Sequence, residues 1–197
     1  PARAARFNDI GALATGPDGS LYVADNGNRR VRRIDPNGIV TTVAGNGSVG
    51  GGGLGGPAIE APVSDVTGLA VDSSGRLYIA QGPRHRVLRV DSQGRLHLYA
   101  GNGTAGFSGD GGLAHLAQLD TPAGIAIDSD DRLWIVDQGN LRIRQVEATA
   151  EDGATVPAAP GTPRASSAFQ AASVEVDEPD DGGSRILGYV YEATPAD

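Results

Sequence analysis

The sequence predicts an all-β fold assembled from repeated four-stranded antiparallel sheets, and two observations carry that expectation. The first is a stretch that recurs at a fixed period. Gly11 to Asp35, Gly68 to Asp91 and Gly124 to Glu147 read GALATGPDGSLYVADNGNRRVRRID, GLAVDSSGRLYIAQGPRHRVLRVD and GIAIDSDDRLWIVDQGNLRIRQVE. Leu21, Leu77 and Leu133 fall 56 residues apart, and so do Val31, Val87 and Ile143. A period of this size marks a solenoid, a propeller or an array. The second observation is the 30 glycines among 197 residues, set between short apolar runs. That texture belongs to many tight turns, not to long helices.

Within each repeat the elements follow in order. Leu13-Ala14, Leu69-Ala-Val71 and Ile125-Ala-Ile127 are short, mostly apolar runs, expected to form a first strand buried on both faces. Turns follow at Pro17-Asp18-Gly19, Ser73-Ser74-Gly75 and Ser129-Asp130-Asp131. The second strand, Leu21 to Ala24 and its copies Leu77 to Ala80 and Leu133 to Val136, is rich in β-branched and aromatic residues. After a polar loop comes a third strand with strict alternation, Val31 to Ile34, Val87 to Val90 and Ile143 to Val146, so one face should be buried and one wet. Pro36-Asn37-Gly38 and Ser92-Gln93-Gly94 turn into a fourth strand, Ile39 to Ala44 and Leu96 to Ala100. Four such strands make a propeller blade, the first lining the axis and the later ones progressively wetter. The third repeat loses the pattern after Val146, and its fourth strand is expected at Ala154 to Ala158.

The pattern G-[LI]-A-[VI]-D, a short turn, L-[YW]-[IV], then D-x-G-N-x-R-[VI]-x-x-[IV]-D resembles the NHL repeat. Residues 7–147 carry that resemblance, which implies a β-propeller, typically of six blades. The linker Ala100 to Leu119, AGNGTAGFSGDGGLAHLAQL, is similar to the longer inter-blade linkers of that family. The linker after the first blade, AGNGSVGGGGLGGPAIEAPV, keeps AGNG and loses the central Asp. The second blade departs from the pattern, with Gln81-Gly-Pro-Arg-His85 where Asp-x-Gly-Asn is expected.

The expected organisation is three blades at about 11–45, 68–101 and 124–158 within a propeller segment 1–148, then 149–159 as a linker or last blade strand. From 160 to 197 the sequence resembles the first half of a fibronectin type III domain, with alternating runs at Ala172 to Val176 and Ile186 to Glu192. Val176 stands where that family usually has Trp. A full sandwich needs about 100 residues, so the expectation is a partial one. Three blades leave a ring incomplete, since propellers have ~4–8. Either the remaining blades lie elsewhere in a longer polypeptide, or copies complete the fold in trans.

Composition excludes several classes. No apolar run approaches the ~18 residues of a membrane span, and the N-terminus has no signal-peptide core. Cysteine, methionine and lysine are absent. Residues 1–147 hold 14 arginines against 15 acids, net −1, so the acidic balance belongs to the tail. That is not the basic footprint of a nucleic-acid binder.

In an up-and-down blade the loop between strands two and three shares a face with the linker to the next blade. Loops 26–30, 82–86 and 138–142 and linkers 45–63 and 101–121 therefore form the candidate binding rim. Its candidates are Arg29, Arg30, Arg84, His85, Arg86, Arg142, Phe107 and Asp110. Some NHL propellers bind RNA through such a face; near-neutral charge instead favours the arginines as framework residues. Asp25 with Asn28, and Asp137 with Asn140, are expected to close Asx-type turns. One carboxylate, Asp110, is too few for a calcium cage. His85, His97 and His115 sit at unrelated repeat positions. Thr15, Asp72 and Asp128, at the ends of the innermost strands, are where an axial metal of a propeller lyase or lactonase would be held, but the Asp residues read as turn formers.

The expected function is non-enzymatic: a binding or scaffold module of a secreted or cell-surface multidomain protein, recognising protein or carbohydrate through the rim, with no cofactor. The alternatives are a propeller hydrolase or lyase whose axial metal comes partly from further blades, and a structural protein that self-assembles by strand or blade completion.

Overall fold

The computed structural model describes residues 4–147 and the strand segments 164–168, 171–175 and 186–189. The first repeat contributes strands β1 (Ile10–Thr15), β2 (Leu21–Asp25), β3 (Arg30–Ile34) and β4 (Val40–Ala44). The second contributes β5 (Val66–Val71), β6 (Leu77–Gln81), β7 (Arg86–Val90) and β8 (Leu96–Ala100). The third contributes β9 (Pro122–Ile127), β10 (Leu133–Asp137) and β11 (Arg142–Val146), followed by β12 (Arg164–Ala168), β13 (Ala171–Glu175) and β14 (Ile186–Tyr189). Three four-stranded antiparallel sheets result, ordered β1-β2-β3-β4, β5-β6-β7-β8 and β9-β10-β11-β14. β1 lies beside β5 and β5 beside β9, so the first strands line a common axis.

The blades stack face to face, and side-chain alternation decides which neighbour each residue meets. In β6, Leu77 and Ile79 join Tyr22, Ala24 and Val31 of the first blade, while Tyr78 and Ala80 join Leu133 and Ile135 of the third. In β7, Leu88 and Val90 take the first side and Val87 the second. The middle blade is therefore apolar on both faces. Tyr78 and Tyr99 meet edge to face in the second interface, ring centroids 4.9 Å apart.

Two expectations about burial are corrected by this stacking. Burial of the first strand on both faces is approached only in β5; β1 exposes Ile10 and Leu13, and β9 alternates. β1 and β9 each have a described blade on one side only. Nor do later strands become wetter, because β7 buries Val87 to Val90 and β8 buries Leu96, Tyr99 and Ala100. The first linker helps here: the Gly55 N–H donates to the Leu96 carbonyl and the Leu96 N–H to the Gly56 carbonyl. An outer strand edge that would otherwise be open is thus covered.

The fourth place in the third blade is taken by Ile186–Tyr189, antiparallel to β11 with Ile143 opposite Tyr189 and Val146 opposite Ile186. The segment 154–158, expected there, lies outside the described residues. Most of the fibronectin-like stretch 160–197 does too. Its described strands do not share one sheet, since β12 and β13 pair with each other and β14 extends the blade.

Aspartates shape the hairpin turns as expected. Asp72 Oδ1 accepts the N–H groups of Ser74 and Arg76, and Asp128 Oδ1 those of Asp130 and Arg132. The same aspartates receive the polar tips of the second-strand aromatics, Tyr78 Oη at 3.0 Å and Trp134 Nε1 at 2.9 Å. In these two blades an aromatic body fills the interface and its one donor has a fixed partner. In the first blade Gly16 replaces the aspartate, and Asp18, two residues on, pairs with Arg33. Hydrogen bonds from Arg33 and Ser20 hold the Asp18 carboxyl down to about 2.

Candidate functional site

Each rim loop is one 3-10 turn, Asn26–Asn28, Gly82–Arg84 or Gln138–Asn140. Each turn ends on a non-glycine residue in the left-handed region: Arg29 (φ 52°), His85 (φ 50°) and Leu141 (φ 54°). Just ahead of each first strand a second such residue occurs, Asp9, Asp65 or Thr121. Left-handed backbone at a non-glycine residue costs ~1–3 kcal/mol and persists only where the surroundings impose it. Here the linkers impose it. Asn140 Nδ2 donates to the Gly106 carbonyl at 2.8 Å, and Arg30 Nη2 to the Asn46 carbonyl at 3.2 Å.

Asp25 and Asp137 do not close Asx turns, contrary to expectation; neither side chain bonds the backbone of its own 3-10 turn. Both are fully buried and reach instead to the chain that enters the blade. Asp25 Oδ1 accepts the Asn8 N–H at 2.8 Å and Asp137 Oδ1 the Asp120 N–H at 2.6 Å. Asn28 and Asn140 donate their amides to the same carboxylates, as structural partners. At the end of a strand the side chain points into the blade interface, where the nearest orphan N–H belongs to the incoming linker.

The structure sorts the rim arginines. Arg30 bonds the carbonyls of Asn28 and Asn46, and Arg29 lies 3.4 Å from the Gly47 carbonyl; both tie loop to linker. Arg142 stacks on the half-exposed Phe107 ring, 3.8 Å from its centroid. Asp110 is engaged by Arg144, a residue absent from the expected set. Arg144 is fully buried and donates to the carbonyls of Gln118 (2.7 Å) and Ser108 (2.9 Å), besides pairing with Asp110 and with Asp137 (3.4 Å). The signal that could have found it is internal: Asp110 and Arg144 stand 34 residues apart, as do Leu54 and Leu88 one repeat earlier. Arg84 and Arg86 differ from the rest. Arg86 donates its Nε to Gln81 Oε1 at 2.9 Å, and Arg84 Nη2 lies 3.5 Å from Ser64 Oγ.

The histidines do not converge. His85 Nδ1 accepts the Thr121 N–H, His97 Nε2 lies 2.7 Å from Asp91, and His115 is exposed in a linker turn. Thr15 ends β1, and Asp72 and Asp128 are committed to their turns as above. Among the described residues no group of three or more His, Asp or Glu side chains is placed to share a metal ion. No helix among them is long and apolar enough to cross a membrane.

Known proteins resemble this architecture. The NHL repeat family model matches residues 119–146. Human teneurin-4 is 36% identical over 152 residues, which is 67% of this chain and 5% of teneurin-4. Teneurin-m of Drosophila melanogaster is 33% identical over 146 residues, again 67% of this chain and 5% of the relative. The chain thus spans about one-twentieth of the length of these relatives. A solved auxiliary nutrient binding protein from Bacteroides thetaiotaomicron superposes with a TM-score of 0.54 at 25% identity, over 68% of this chain and 36% of that one. Its counterpart from Bacteroides ovatus gives 0.57 at 22% identity, over 72% and 38%, a likeness of fold. With four-stranded blades that repeat one motif every 56 residues, the chain belongs to the NHL-repeat β-propellers.

Proposed function

We propose that this chain is a non-enzymatic binding module that recognises a protein or carbohydrate through the loop rim. The observation that carries the reading is the state of that rim. Leu141 is 90% exposed and left-handed, and Phe107 is 43% exposed beneath Arg142. A buried polar framework fixes large side chains outward there, at the backbone cost of a left-handed non-glycine residue. Similarity to teneurins and to a nutrient binding protein, none named for a reaction, supports binding. A secreted or cell-surface location belongs to the same proposal and rests on that similarity and on the module-like tail.

The test is to screen the protein against arrays of glycans and of secreted and cell-surface proteins, then to measure the best ligand with two variants. Leu141→Asp, a residue type tolerant of left-handed backbone, is expected to weaken binding about tenfold or more, as loss of an interface anchor does. Gln93→Ala, at the exposed β7–β8 turn, is expected to leave it unchanged. Equal loss in both variants, or loss in neither, overturns the reading. Stoichiometric metal in the purified protein would favour the hydrolase or lyase class instead.

A second reading, blade completion, is favoured by the outer faces of the described stack. Leu13 is 58% exposed on one, and Val136 and Ile143 are 42% and 39% exposed on the other. By the 56-residue repeat these match Leu69, and Ala80 and Val87, which are buried between blades. Further blades of a longer polypeptide or a second copy would cover them. Light scattering separates the two, since a mass that rises with protein concentration requires copies.

A further inference from the structure

One corner of the second blade is built unlike its counterparts. In the third blade this corner holds Asp137, Asn140, Arg142 and Arg144 from the blade, with Phe107 and Asp110 from the linker. Its charges cancel: two carboxylates face two guanidiniums, Arg144 is paired with both aspartates, and Arg142 lies on the ring. Shifting each position by 56 residues gives Gln81, Arg84, Arg86, Leu88, Gly51 and Leu54. Both carboxylates are gone, the buried arginine is gone, and the ring is gone. An extra arginine, Arg84, has appeared. Two positive charges remain, and among the described residues neither Arg84 nor Arg86 forms an ion pair with a carboxylate.

The geometry around these two arginines is that of a receptor lacking its anion. Arg84 Nη1 lies 3.6 Å from where a Cβ on Gly51 would sit, at the position from which Phe107 extends one repeat later. Arg84 Nε is buried with no hydrogen-bond partner; Arg142 Nε and Arg144 Nε share that state, but their guanidiniums lie over the Phe107 ring, and Gly51 offers Arg84 no ring. The Arg86 guanidinium is half-buried and held by neutral Gln81. Burial, then the charge of Arg84, push its pKa down. Gly51 stands beside Arg84 with no side chain, and an added Cβ there would meet nothing but that guanidinium within 4 Å. Guanidinium forks match planar or tetrahedral oxyanions through paired N–H groups.

We propose that Arg84 and Arg86, backed by Gln81 and Gly51, bind an oxyanion: a carboxylate, sulfate or phosphate group of a ligand. The site lies on the rim proposed above and rests on that reading, sharpening it to ligands with an acidic group at this corner.

The experiment is an NMR titration of the whole protein with sodium sulfate, phosphate and glucuronate, each against sodium chloride at matched ionic strength. Saturable shifts are expected at the Arg84 and Arg86 Nε–H signals and the amides of Gly51–Gly53, and not at Arg142. Which anion saturates at the lowest concentration separates carboxylate, sulfate and phosphate sources. Arg84→Gln should abolish the saturation. Gln81→Glu, which keeps both arginines and supplies an internal counter-charge where Asp25 and Asp137 stand in the sister blades, should weaken it about tenfold, the worth of one charge-assisted bond. Unchanged thermal unfolding in both variants shows that the fold is kept. Shifts that never saturate, that survive Arg84→Gln, or that appear equally at Arg142 overturn the proposal. If the anions fail while Leu141→Asp still impairs a rim ligand, the oxyanion site falls and the rim reading stands. If the anions bind while rim variants leave every ligand untouched, the converse holds.

Discussion

Arg144→Leu is expected to destabilise the protein by about 3–5 kcal/mol, the cost of stranding a buried charge by removing its partner. The side chain is fully buried and ties together β11, the Asp137 carboxylate and the linker at Ser108, Asp110 and Gln118. Removing it leaves Asp137 at 0% exposure with only the Asp120 N–H and the Asn140 amide for company. The chain itself contains the repaired version. The second blade has Gln81, Leu88 and Leu54 at the equivalent positions, and Gln81 is fully buried without a charge, donating to the Ser64 carbonyl at 2.7 Å. The triple variant D110L/D137Q/R144L should therefore recover most of the stability that R144L alone loses, because replacing a whole buried ionic group by apolar and neutral groups is often close to neutral. Urea midpoints at unchanged m-value measure both effects. A single variant within ~1 kcal/mol of wild type, or a triple variant less stable than the single, would show that the network is not coupled in this way.

That comparison also shows how the second blade departs from the repeat motif. In the third blade the aspartate at the end of the second strand, Asp137, is met by the arginine seven positions on, Arg144, whereas Asp25 of the first blade is met by the Asn8 N–H and the Asn28 amide. In the second blade that residue is Leu88, and glutamine stands at the strand end, its amide donating to the Ser64 carbonyl and its oxygen accepting from Arg86 Nε. The sequence shows Gln81 as an anomaly; the partners at this position are brought close only by the β10–β11 and β6–β7 pairings.

The parts of the fold legible from sequence were those governed by local periodicity. The 56-residue repeat, the strands, and the meeting of loops with linkers on one rim all follow from alternation and connection length. Asp72 and Asp128 were legible as turn formers because their partners lie two and four residues away. Asp25 and Asp137 were not, because their partners Asn8 and Asp120 lie 17 residues upstream and the local Asp-x-Gly-Asn text imitates an Asx turn. Ile186–Tyr189 as the fourth strand of the third blade was equally hidden. A strand arriving from some 40 residues downstream of Val146 leaves no mark on the repeat. Among the arginines, sequence gives their number on the rim, whereas their sorting into linker ties, a ring stack and an unneutralised pair depends on contacts between blades.

Gly101→Ala is expected to cost roughly 2–6 kcal/mol, combining left-handed strain of ~1–3 kcal/mol with overpacking of ~1–3 kcal/mol. Gly101 has φ +78°, and a Cβ there would sit 2.9 Å from both Arg86 Cα and Leu119 Cδ1 and closer still to the His85 carbonyl oxygen. Gly45 repeats this approach one blade earlier, against the Arg29 carbonyl and Arg30 Cα. This explains the recurrent AGNG: the chain leaving one blade must pass directly beneath the rim loop of the same blade, and only glycine lets the backbones approach so closely. Gly94 is the control, with φ +74° and nothing within 4 Å of its added Cβ. Gly94→Ala should cost only the conformational strain, about 1–2 kcal/mol. For a protein of this size ~1 kcal/mol moves Tm by roughly 2–4 °C, so the two variants separate readily in a thermal scan. Because the Gly101 contact is to His85 and Arg86, its loss should also displace the second-blade corner, and sulfate binding should weaken in Gly101→Ala but not in Gly94→Ala. Equal Tm shifts in the two variants would mean that backbone conformation alone selects glycine, and that linker and rim loop are not locked together at this point.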